Sequence, residues 1–453
     1  MIDNNQSTIE LSIEDSIIEI NNNNYEETKT HDLQMLSSQI FRNDPKDISL
    51  YDSEKEIPIT IRSDWFSNFS TNVRYQISEV PIMPIFGYEK VDFSIGSSPV
   101  IMLAKKYQIK DELPENVQYK FSQDFRKLIW VTYRYGYKPL ERIEGENIIA
   151  YSSDTGWGCT VRVGQMLLMR TLQLHFYTES YECYQLLQLI QENLLDAPYS
   201  IQQIAAVGTE LGKKPGDWYS PSTMCHAIDK LLTLHPIPKL KSKIFMETII
   251  YKDQLYSVAG DVDIDDFLSN CVLCKKSEGY YCEKCREKLN SIEWNKSMLV
   301  MIPLMLGLGS IHQEYYETLK FFLNIPQTVG IIGGKPKSAL YIVGYQNDSL
   351  LFLDPHLAQQ ACTSDQDLLN KIETYHCSSY KLIPMSSAES SISLGYYFRN
   401  KESFLEFERI ISENRDAIKG LIGVQEFTPQ YCTEDFEVPD IKTSDSDEEY
   451  VVL

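Results

Sequence analysis

A cysteine stands directly after a Gly-Trp-Gly sequence, at a point where a loop pattern gives way to an apolar helical pattern. The segment reads Ser-Asp-Thr-Gly-Trp-Gly-Cys and ends at Cys159. Glycines allow a sharp backbone turn and the close approach of a substrate chain. At the start of a helix, unpaired N–H groups and the positive end of the helix dipole favour a thiolate over a thiol. The segment therefore predicts that Cys159 is the nucleophile of a cysteine hydrolase.

A thiol nucleophile needs a base, and the base needs a partner that orients it. Asp354-Pro355-His356 follows an apolar strand pattern, and residues two apart in an extended chain point to the same side. Asp354 can therefore fix the tautomer of the imidazole while His356 accepts the proton of Cys159. The alternative is that His356 is a surface loop residue, but the Gly-Trp-Gly-Cys segment favours the catalytic interpretation.

The bulk composition narrows the class of protein. The 453 residues allow one large domain or two or three smaller ones, and the net charge of −22 argues against a nucleic-acid partner held by phosphate contacts. The first residues do not match a signal peptide, and no apolar run approaches the roughly 20 residues that span a bilayer. Ten cysteines in such a chain are expected to be reduced thiols, so we expect a cytoplasmic protein.

The apolar spacing predicts helices in the first half of the globular body and strands in the second. Helices are predicted over 121–135, from Cys159 through Leu172, over 184–195, and from Ser222 through Leu232. A buried strand is predicted over 297–307, and a hairpin over 339–345 and 350–354 with its turn at 346–348. Helices followed by an antiparallel sheet are typical of an α+β domain.

The same pass along the chain predicts its domain organisation. The low-complexity region 1–80 is expected to be mostly disordered, and one globular domain is expected over 81–425. A charged, cysteine-rich insertion occupies 261–295, and an acidic, flexible tail occupies 426–453.

Six motifs in order, the two catalytic segments among them, resemble those of the autophagins, the cysteine peptidases of the autophagy conjugation pathway. The motifs are WVTYR at 130–134, SDTGWGCTVRVGQM at 153–166, GDWYSPST at 216–223, PLMLGLG at 303–309, PQTVGIIGGKP at 326–336 and LDPH at 353–356. The resemblance implies an α+β, papain-like cysteine peptidase fold with a small extra subdomain. It implies cleavage after the C-terminal glycine of a ubiquitin-like autophagy modifier precursor, and release of that modifier from phosphatidylethanolamine.

The resemblance also assigns roles to residues. It implies that Cys159 is the nucleophile, His356 the base and Asp354 the residue that orients the base. It places Tyr133 where the family has a tyrosine whose hydroxyl, with the Cys159 N–H, stabilises the oxyanion. Periodicity alone favours a different role for Tyr133, as a core aromatic residue on an amphipathic helix.

Two further residues match the gate of the family's active-site groove. Trp218 and Pro336 would close over the groove, and an indole stacked against the Gly-Gly-Lys-Pro loop would leave a slot that only glycine enters. Trp218 can also be read as a core residue, but its position in a turn before a helix makes full burial less favourable.

The resemblance implies no cofactor for catalysis. It implies a monomer whose partner is the modifier, as precursor or phosphatidylethanolamine conjugate, with transient membrane-surface contact through the lipidated substrate. Two rival functions remain: a catalytically weak scaffold that binds the modifier, and a papain-like peptidase directed at ubiquitin. The complete set of catalytic residues argues against the first, and the gate residues argue against the second.

The cysteine-rich insertion falls outside the family pattern. Two CxxC pairs, Cys271 with Cys274 and Cys282 with Cys285, are separated by seven residues. Four thiolates suit tetrahedral zinc, so the spacing predicts a small structural zinc knuckle that staples a surface loop. The alternatives are a charged loop with reduced thiols and a redox pair.

The chain ends in an acidic run followed by Tyr450-Val-Val-Leu453. An aromatic residue and a leucine three positions apart resemble the short motif that docks on autophagy modifiers. Such a peptide adds a strand to the edge of the partner's sheet while Tyr450 and Leu453 fill two pockets. A solubilising tail and capture of the terminal carboxylate by a PDZ-type domain are the alternatives.

Overall fold

The structure is a computed structural model. It describes residues 88–94, 96–109, 113–176, 184–192, 197–264, 271 and 281–429. The region predicted to be disordered, 1–80, therefore lies outside the described residues, as do Cys274, Tyr450 and Leu453.

A large mixed sheet lies between two layers of helices. Along its strand Ser338–Gln346, Leu340 and Ile342 pack into one hydrophobic core while Tyr341 and Val343 pack into the other. Successive side chains of a strand point to opposite faces, so this alternation shows that both faces of the sheet are covered. The strands are β1 Glu89–Lys90, β2 Val100–Met102, β3 Lys105–Tyr107, β4 Tyr133–Glu144, β5 Asn147–Ser153, β6 Leu240–Ile244, β7 Ile249–Tyr251, β8 Ser297–Ser310, β9 Thr328–Lys335, β10 Ser338–Gln346, β11 Ser349–Leu353, β12 Ala358–Gln360, β13 Lys381–Pro384, β14 Glu389–Phe398 and β15 Gly423–Gln425.

The helices divide between the two faces of the sheet. The first five and the ninth contribute to one core, and the sixth, seventh, eighth and tenth contribute to the other. They are α1 Pro114–Arg126, α2 Cys159–His175, α3 Tyr184–Gln188, α4 Ile201–Glu210, α5 Pro221–Leu234, α6 Lys252–Gly260, α7 Glu283–Asn290, α8 Tyr316–Asn324, α9 Asp365–Lys371 and α10 Lys401–Glu413. None of these described helices is both long enough and apolar enough to cross a membrane.

The topology separates the large sheet from a small one that carries part of the site. The large sheet has the order β1-β13-β11-β10-β9-β14-β8-β6, with β2 paired to β10 and β3 paired to β2. Its neighbours are antiparallel except β6 and β8, which run parallel. The small sheet has the order β12-β4-β5, in which β12 runs parallel to β4.

The α+β prediction is confirmed, as are its central elements. Helix α2 begins at Cys159, and the strand predicted over 297–307 is β8. The predicted hairpin is β10 and β11, with Gln346 paired to Ser349 across the turn. Asn347 in that turn has φ +52°, a conformation that asparagine tolerates better than most residues.

Three predicted helices have the wrong boundaries. The helix predicted over 121–135 corresponds to α1, which begins at Pro114, before the predicted start, and ends at Arg126. The residues after it form a loop, and Tyr133 begins β4. The helix predicted over 184–195 is helical only to Gln188. In α5 the capping residue is Ser220, whose side chain accepts the Thr223 N–H, rather than Ser222. Long-range partners explain the first error, because the Trp130 N–H donates to the carbonyl of Tyr375 instead of to its own helix.

Candidate active site

The predicted nucleophile is the first residue of α2. Gly158 immediately precedes the helix, and Cys159 is 6 % exposed. Gly156 has φ +91°, which glycine adopts without strain. A Cβ at Gly158 would lie 2.6 Å from the Cβ of Asp154, so the loop closes only with glycine there. The two glycines therefore let the loop turn directly into the helix and present Cys159 at its N-terminus.

A buried ion-pair network holds this loop against the helix. Arg162, fully buried on the first turn of α2, donates through Nε to Asp154 Oδ2 at 2.8 Å and through Nη1 to Glu192 Oε1 at 2.9 Å. Asp154 Oδ1 also accepts the Arg134 N–H at 2.7 Å. Glu192 in turn accepts the Cys362 N–H through Oε2 at 3.0 Å. The Arg162 guanidinium thus joins two carboxylates, of which Asp154 connects the nucleophile loop to strand β4 and Glu192 connects its own segment to that of Cys362.

The predicted base and its orienting residue contact each other directly. His356 Nδ1 and Asp354 Oδ1 are 2.6 Å apart, and the His356 backbone N–H donates to the same oxygen at 3.0 Å. The sequence predicted an extended segment here, but β11 ends at Leu353 and both residues lie in the turn that follows. The turn, rather than strand alternation, brings carboxylate and imidazole to the same side.

Strand β4 fixes that turn beside the nucleophile. The Tyr133 N–H donates to the Pro355 carbonyl at 2.8 Å, and Trp130 Nε1 donates to the Asp354 carbonyl at 2.7 Å. The register pairs Tyr133 with Ala358 across the parallel β4–β12 ladder. These bonds set the position of the Asp-Pro-His turn relative to the small sheet.

The electrostatics of the site favour a charged cysteine. Burial opposes the thiolate, but the hydrogen bond and charge of His356, the Ala339 N–H and the Tyr133 hydroxyl together lower the pKa of Cys159 below its ordinary value. Burial opposes the imidazolium as well, yet the charge of Asp354 and its hydrogen bond raise the pKa of His356 to about 9. Burial likewise opposes the Asp354 carboxylate, and His356 lowers the pKa of Asp354 to about 2.

A second buried cysteine shows what the partners contribute. Cys225 on α5 is fully buried, and burial raises the pKa of its thiol to about 12. Cys159 is nearly as buried, but its pKa moves in the opposite direction because His356 lies beside it. The imidazole, rather than exposure, therefore distinguishes the two thiols.

Tyr133 lies at the same site. Its ring meets the His356 imidazole edge-on, with centroids 5.4 Å apart and an angle of 89° between the planes. It packs with Cys159 and Ala358 in a small buried cluster of their own. Sequence periodicity placed Tyr133 on a helix, whereas it starts β4, and the strand directs its hydroxyl to the sulfur of Cys159.

The two predicted gate residues lie on loops that lead to the site. Trp218 is 49 % exposed, and its Nε1 donates to the Gly156 carbonyl at 2.7 Å, so it is not a core residue. Pro336 is exposed in the turn between β9 and β10. Two residues later, Ser338 Oγ lies 3.3 Å from His356 Nε2.

The β4–β5 hairpin supports the Trp218 turn. Arg142 on β4 donates to Asp217 Oδ1 at 2.6 Å and to the Pro215 carbonyl at 3.3 Å. A Cβ at Gly216 would lie 2.6 Å from the Tyr151 ring, so strand β5 also contacts this turn closely. The stretch from 136 to 150 thus forms a hairpin that holds the turn next to the nucleophile loop.

Sequence reasoning did not single out several residues that build the site. Arg162, Glu192, Trp130 and Ser338 all contact catalytic segments or hold them in place. One signal was available for Arg162, because a charge between Val161 and Val163 interrupts an apolar helical pattern near the nucleophile. The other three contacts join segments far apart in the chain, and no local pattern marks them.

Three of the four predicted metal ligands come together elsewhere. The Sγ atoms of Cys271, Cys282 and Cys285 lie within 4.8 Å of one another. The fourth, Cys274, lies outside the described residues. Cys285 packs in the core that contains α6 and α7, on the other face of the sheet from α2.

Comparisons with known proteins agree with this geometry. The family model for the peptidase C54 catalytic domain matches residues 118–410. The cysteine protease ATG4B of Gallus gallus is 32 % identical over 70 % of this chain and 81 % of its own length. The cysteine protease ATG4D of Xenopus laevis is 29 % identical over 70 % of this chain and 71 % of its own. The cysteine protease ATG4A of Oryza sativa subsp. japonica is 30 % identical over 72 % and 70 %.

We expect Arg162→Met to destabilise the protein by about 3–5 kcal/mol, because it leaves the carboxylates of Asp154 and Glu192 buried without their partner. Urea denaturation of the purified variant measures this change. Arg409→Met is the matched control, because its ion pair with Glu413 is exposed on α10 and contributes little. Equal midpoints for the two variants would contradict a structural role for the Arg162 network.

We expect Asp354→Asn to lower the pKa of His356 and raise that of Cys159, because the imidazolium loses its carboxylate partner. In the wild type the thiolate–imidazolium pair exists above the pKa of Cys159 and is lost as pH rises through about 9, where His356 deprotonates. A rise of one unit in the pKa of Cys159 reduces the thiolate fraction about tenfold at pH values below that pKa.

The rate of Cys159 alkylation against pH, followed by peptide mass spectrometry, measures that shift. At pH values below the pKa of Cys159 the variant should react about tenfold more slowly for each unit by which that pKa rises, and it should recover at higher pH. Asp124→Asn is the control, because Asp124 pairs with Lys105 and Lys127 on the surface. Superimposable profiles for wild type and Asp354→Asn would show that Asp354 does not tune the site.

Proposed function

The chain belongs to the peptidase C54 family and is a cysteine peptidase, and from this premise we propose that it processes a ubiquitin-like autophagy modifier. It cleaves the precursor after the glycine that becomes the modifier's C-terminus, and it releases the same modifier from phosphatidylethanolamine. The observation that carries the proposal is the pairing of Cys159 with His356, whose Nδ1 lies 2.6 Å from Asp354.

Both reactions break an amide bond to the same glycine. The Cys159 thiolate attacks the glycine carbonyl carbon, and the resulting oxyanion accepts hydrogen bonds from the Cys159 N–H and the Tyr133 hydroxyl. His356, protonated on Nε2, donates that proton to the leaving nitrogen as the C–N bond breaks. The leaving group is the downstream peptide in one reaction and the phosphatidylethanolamine amine in the other.

Water completes the cycle. The glycine is then held as a thioester on Cys159, and His356 is neutral. His356 accepts a proton from water while the oxygen attacks the thioester carbonyl, and the C–S bond breaks to regenerate the thiolate. Asp354 keeps Nδ1–H as the hydrogen-bond donor throughout, so that Nε2 carries the moving proton.

Glycine selectivity follows from the loops around the nucleophile. The hydrogen bond from Trp218 to Gly156 supports an indole that stands over the nucleophile loop, and the Pro336 turn lies two residues before the Ser338 contact with His356. A slot between these loops accepts a backbone without a side chain and rejects residues that carry a Cβ. Because the same slot rejects most residues at the cleavage site, we do not expect the enzyme to be a general peptidase.

The direct test compares wild type with Cys159→Ala on two substrates. One is a modifier precursor with residues beyond its glycine, and the other is the modifier conjugated to phosphatidylethanolamine on vesicles. We expect wild type to cleave both and Cys159→Ala to cleave neither, while Cys225→Ala, which removes an inert buried thiol, keeps activity. Gel electrophoresis and mass spectrometry of the product identify the cleaved bond.

Other outcomes of that experiment select the rival functions. Binding of the modifier by wild type without cleavage would indicate a scaffold. Cleavage of a ubiquitin fusion in preference to the modifier precursor would indicate a ubiquitin peptidase. Equal cleavage by wild type and Cys159→Ala would exclude a thiol mechanism.

We expect Trp218→Ala to widen specificity, because the indole limits the width of the slot. The ratio of kcat/KM for a precursor with alanine at the cleavage site to that for the glycine precursor should rise by about tenfold or more, as for the loss of a steric filter. Leu405→Ala, which truncates an exposed leucine on α10, is the control and should leave the ratio unchanged. An unchanged ratio in Trp218→Ala would show that glycine selectivity arises elsewhere.

A further inference from the structure

Three cysteines of the insertion form a cluster that the proposed catalysis does not use. The Sγ atoms of Cys271, Cys282 and Cys285 all lie within 4.8 Å of one another, and those of Cys271 and Cys282 are 3.6 Å apart. Tetrahedral zinc with Zn–S bonds of about 2.3 Å separates its sulfur ligands by about 3.8 Å. The thiols therefore stand at about the spacing of ligands on one zinc ion.

The backbone around the second CxxC pair suits metal binding. Cys282 is the N-cap of α7, and its carbonyl accepts the N–H groups of Cys285 and Arg286 at 3.0 and 3.1 Å. This turn directs Cys282 and Cys285 toward the same point, which Cys271 reaches from outside the helix.

We propose that Cys271, Cys282 and Cys285 bind one structural Zn²⁺ that holds the inserted segment against the C-terminal part of the domain. Each thiol loses its proton to solvent as it binds. The sequence predicts Cys274 as the fourth ligand; that residue lies outside the described residues, and the proposal depends on the three described thiols. A disulfide is the competing chemistry, but its S–S bond would be about 2.05 Å long, whereas the Sγ atoms of Cys271 and Cys282 are 3.6 Å apart.

The segment that would be stapled contacts the last described residues. Tyr281 stacks on Phe427, with centroids 3.8 Å apart and planes at 22°, and Arg286 forms an ion pair with Glu426 at 3.2 Å. Leu289 on α7 is fully buried in the core beneath. The metal would thus fix the first turn of this short helix, next to the contacts that Tyr281 and Arg286 make with residues 427 and 426.

The C-terminal strand packs on the core through Ile422, the residue just before it, and its backbone pairing is short. Among the described residues, strand β15 pairs only with the three-residue strand β7 in a small parallel sheet, and Thr428 is held by Asp253 through hydrogen bonds of 2.8 and 3.0 Å. Isolated two-stranded pairing is marginal in water, so packing from the insertion matters for this segment. The zinc cluster lies in the core opposite α2, which gives the metal a structural role rather than a catalytic one.

Metal analysis of the full chain, purified without chelators or a metal-affinity tag, tests the proposal. We expect one Zn²⁺ per chain by elemental analysis, and cobalt substitution should give the intense thiolate-to-metal charge-transfer absorption of a tetrahedral sulfur site. Cys282→Ser and Cys285→Ser should lose the metal, whereas Cys225→Ala, the matched control, should keep it. If the variants do not fold, the zinc content of the wild-type protein is the deciding measurement.

Hydrogen exchange measures the structural consequence. Removal of zinc should speed amide exchange in peptides that cover 420–429 and leave peptides from the buried strand β8 unchanged. Folded wild type without stoichiometric zinc, a Cys271–Cys282 disulfide in the native protein, or zinc retained by both serine variants would each overturn the proposal. Cleavage of the modifier precursor by the wild type is measured in parallel. A wild type that binds zinc but does not cleave would contradict the proposed function and leave the zinc proposal intact.

Discussion

The active site depends on one buried ion-pair network at the start of α2. Arg162 pairs with Asp154 and Glu192 where all three side chains are inaccessible to solvent. A charged group is tolerated in the protein interior only when it has an oppositely charged partner and its hydrogen bonds are satisfied. The nucleophile loop, helix α2 and the Cys362 segment must therefore all be in place for this network to form. The network therefore contributes more to the geometry of the nucleophile loop than to net stability. A single missing partner leaves an uncompensated charge in the core.

This constraint places the nucleophile, and the two sheets place its partners. The Asp354–His356 turn follows β11 of the large sheet, while Tyr133 begins β4 of the small sheet, and the hydrogen bond from the Tyr133 N–H to Pro355 joins them. Cys159 reaches the junction from the N-terminus of the helix that packs on β9 and β10. A thiol, an imidazole and a phenol thus come from three elements that are held together by hydrogen bonds between them, which preorganises the site before a substrate binds.

Sequence reasoning predicted the chemistry more accurately than the backbone. Helix α2, strand β8 and the β10–β11 hairpin have strong local periodicity, and each is present. The segment that carries Tyr133 was predicted to be helical because its apolar residues recur at helical spacing. In the structure its backbone pairs with β12 and with the carbonyls of Pro355 and Tyr375, and such distant partners override local propensity. The network around Arg162 was not predicted for the same reason, since its members are brought together only by folding.

The sequence by itself determined which groups are available: a thiol after two glycines at a helix start, an Asp-Pro-His segment, a tyrosine, a tryptophan shortly before a helix and paired cysteines in an insertion. These follow from residue type and short spacing, which act locally. Only the tertiary structure decided that His356, held by Asp354, would lower the pKa of Cys159 while Cys225, which is also buried, has its pKa raised. Charge interactions in a protein interior depend on distances of a few ångströms, and those distances are set by packing between segments far apart in the chain.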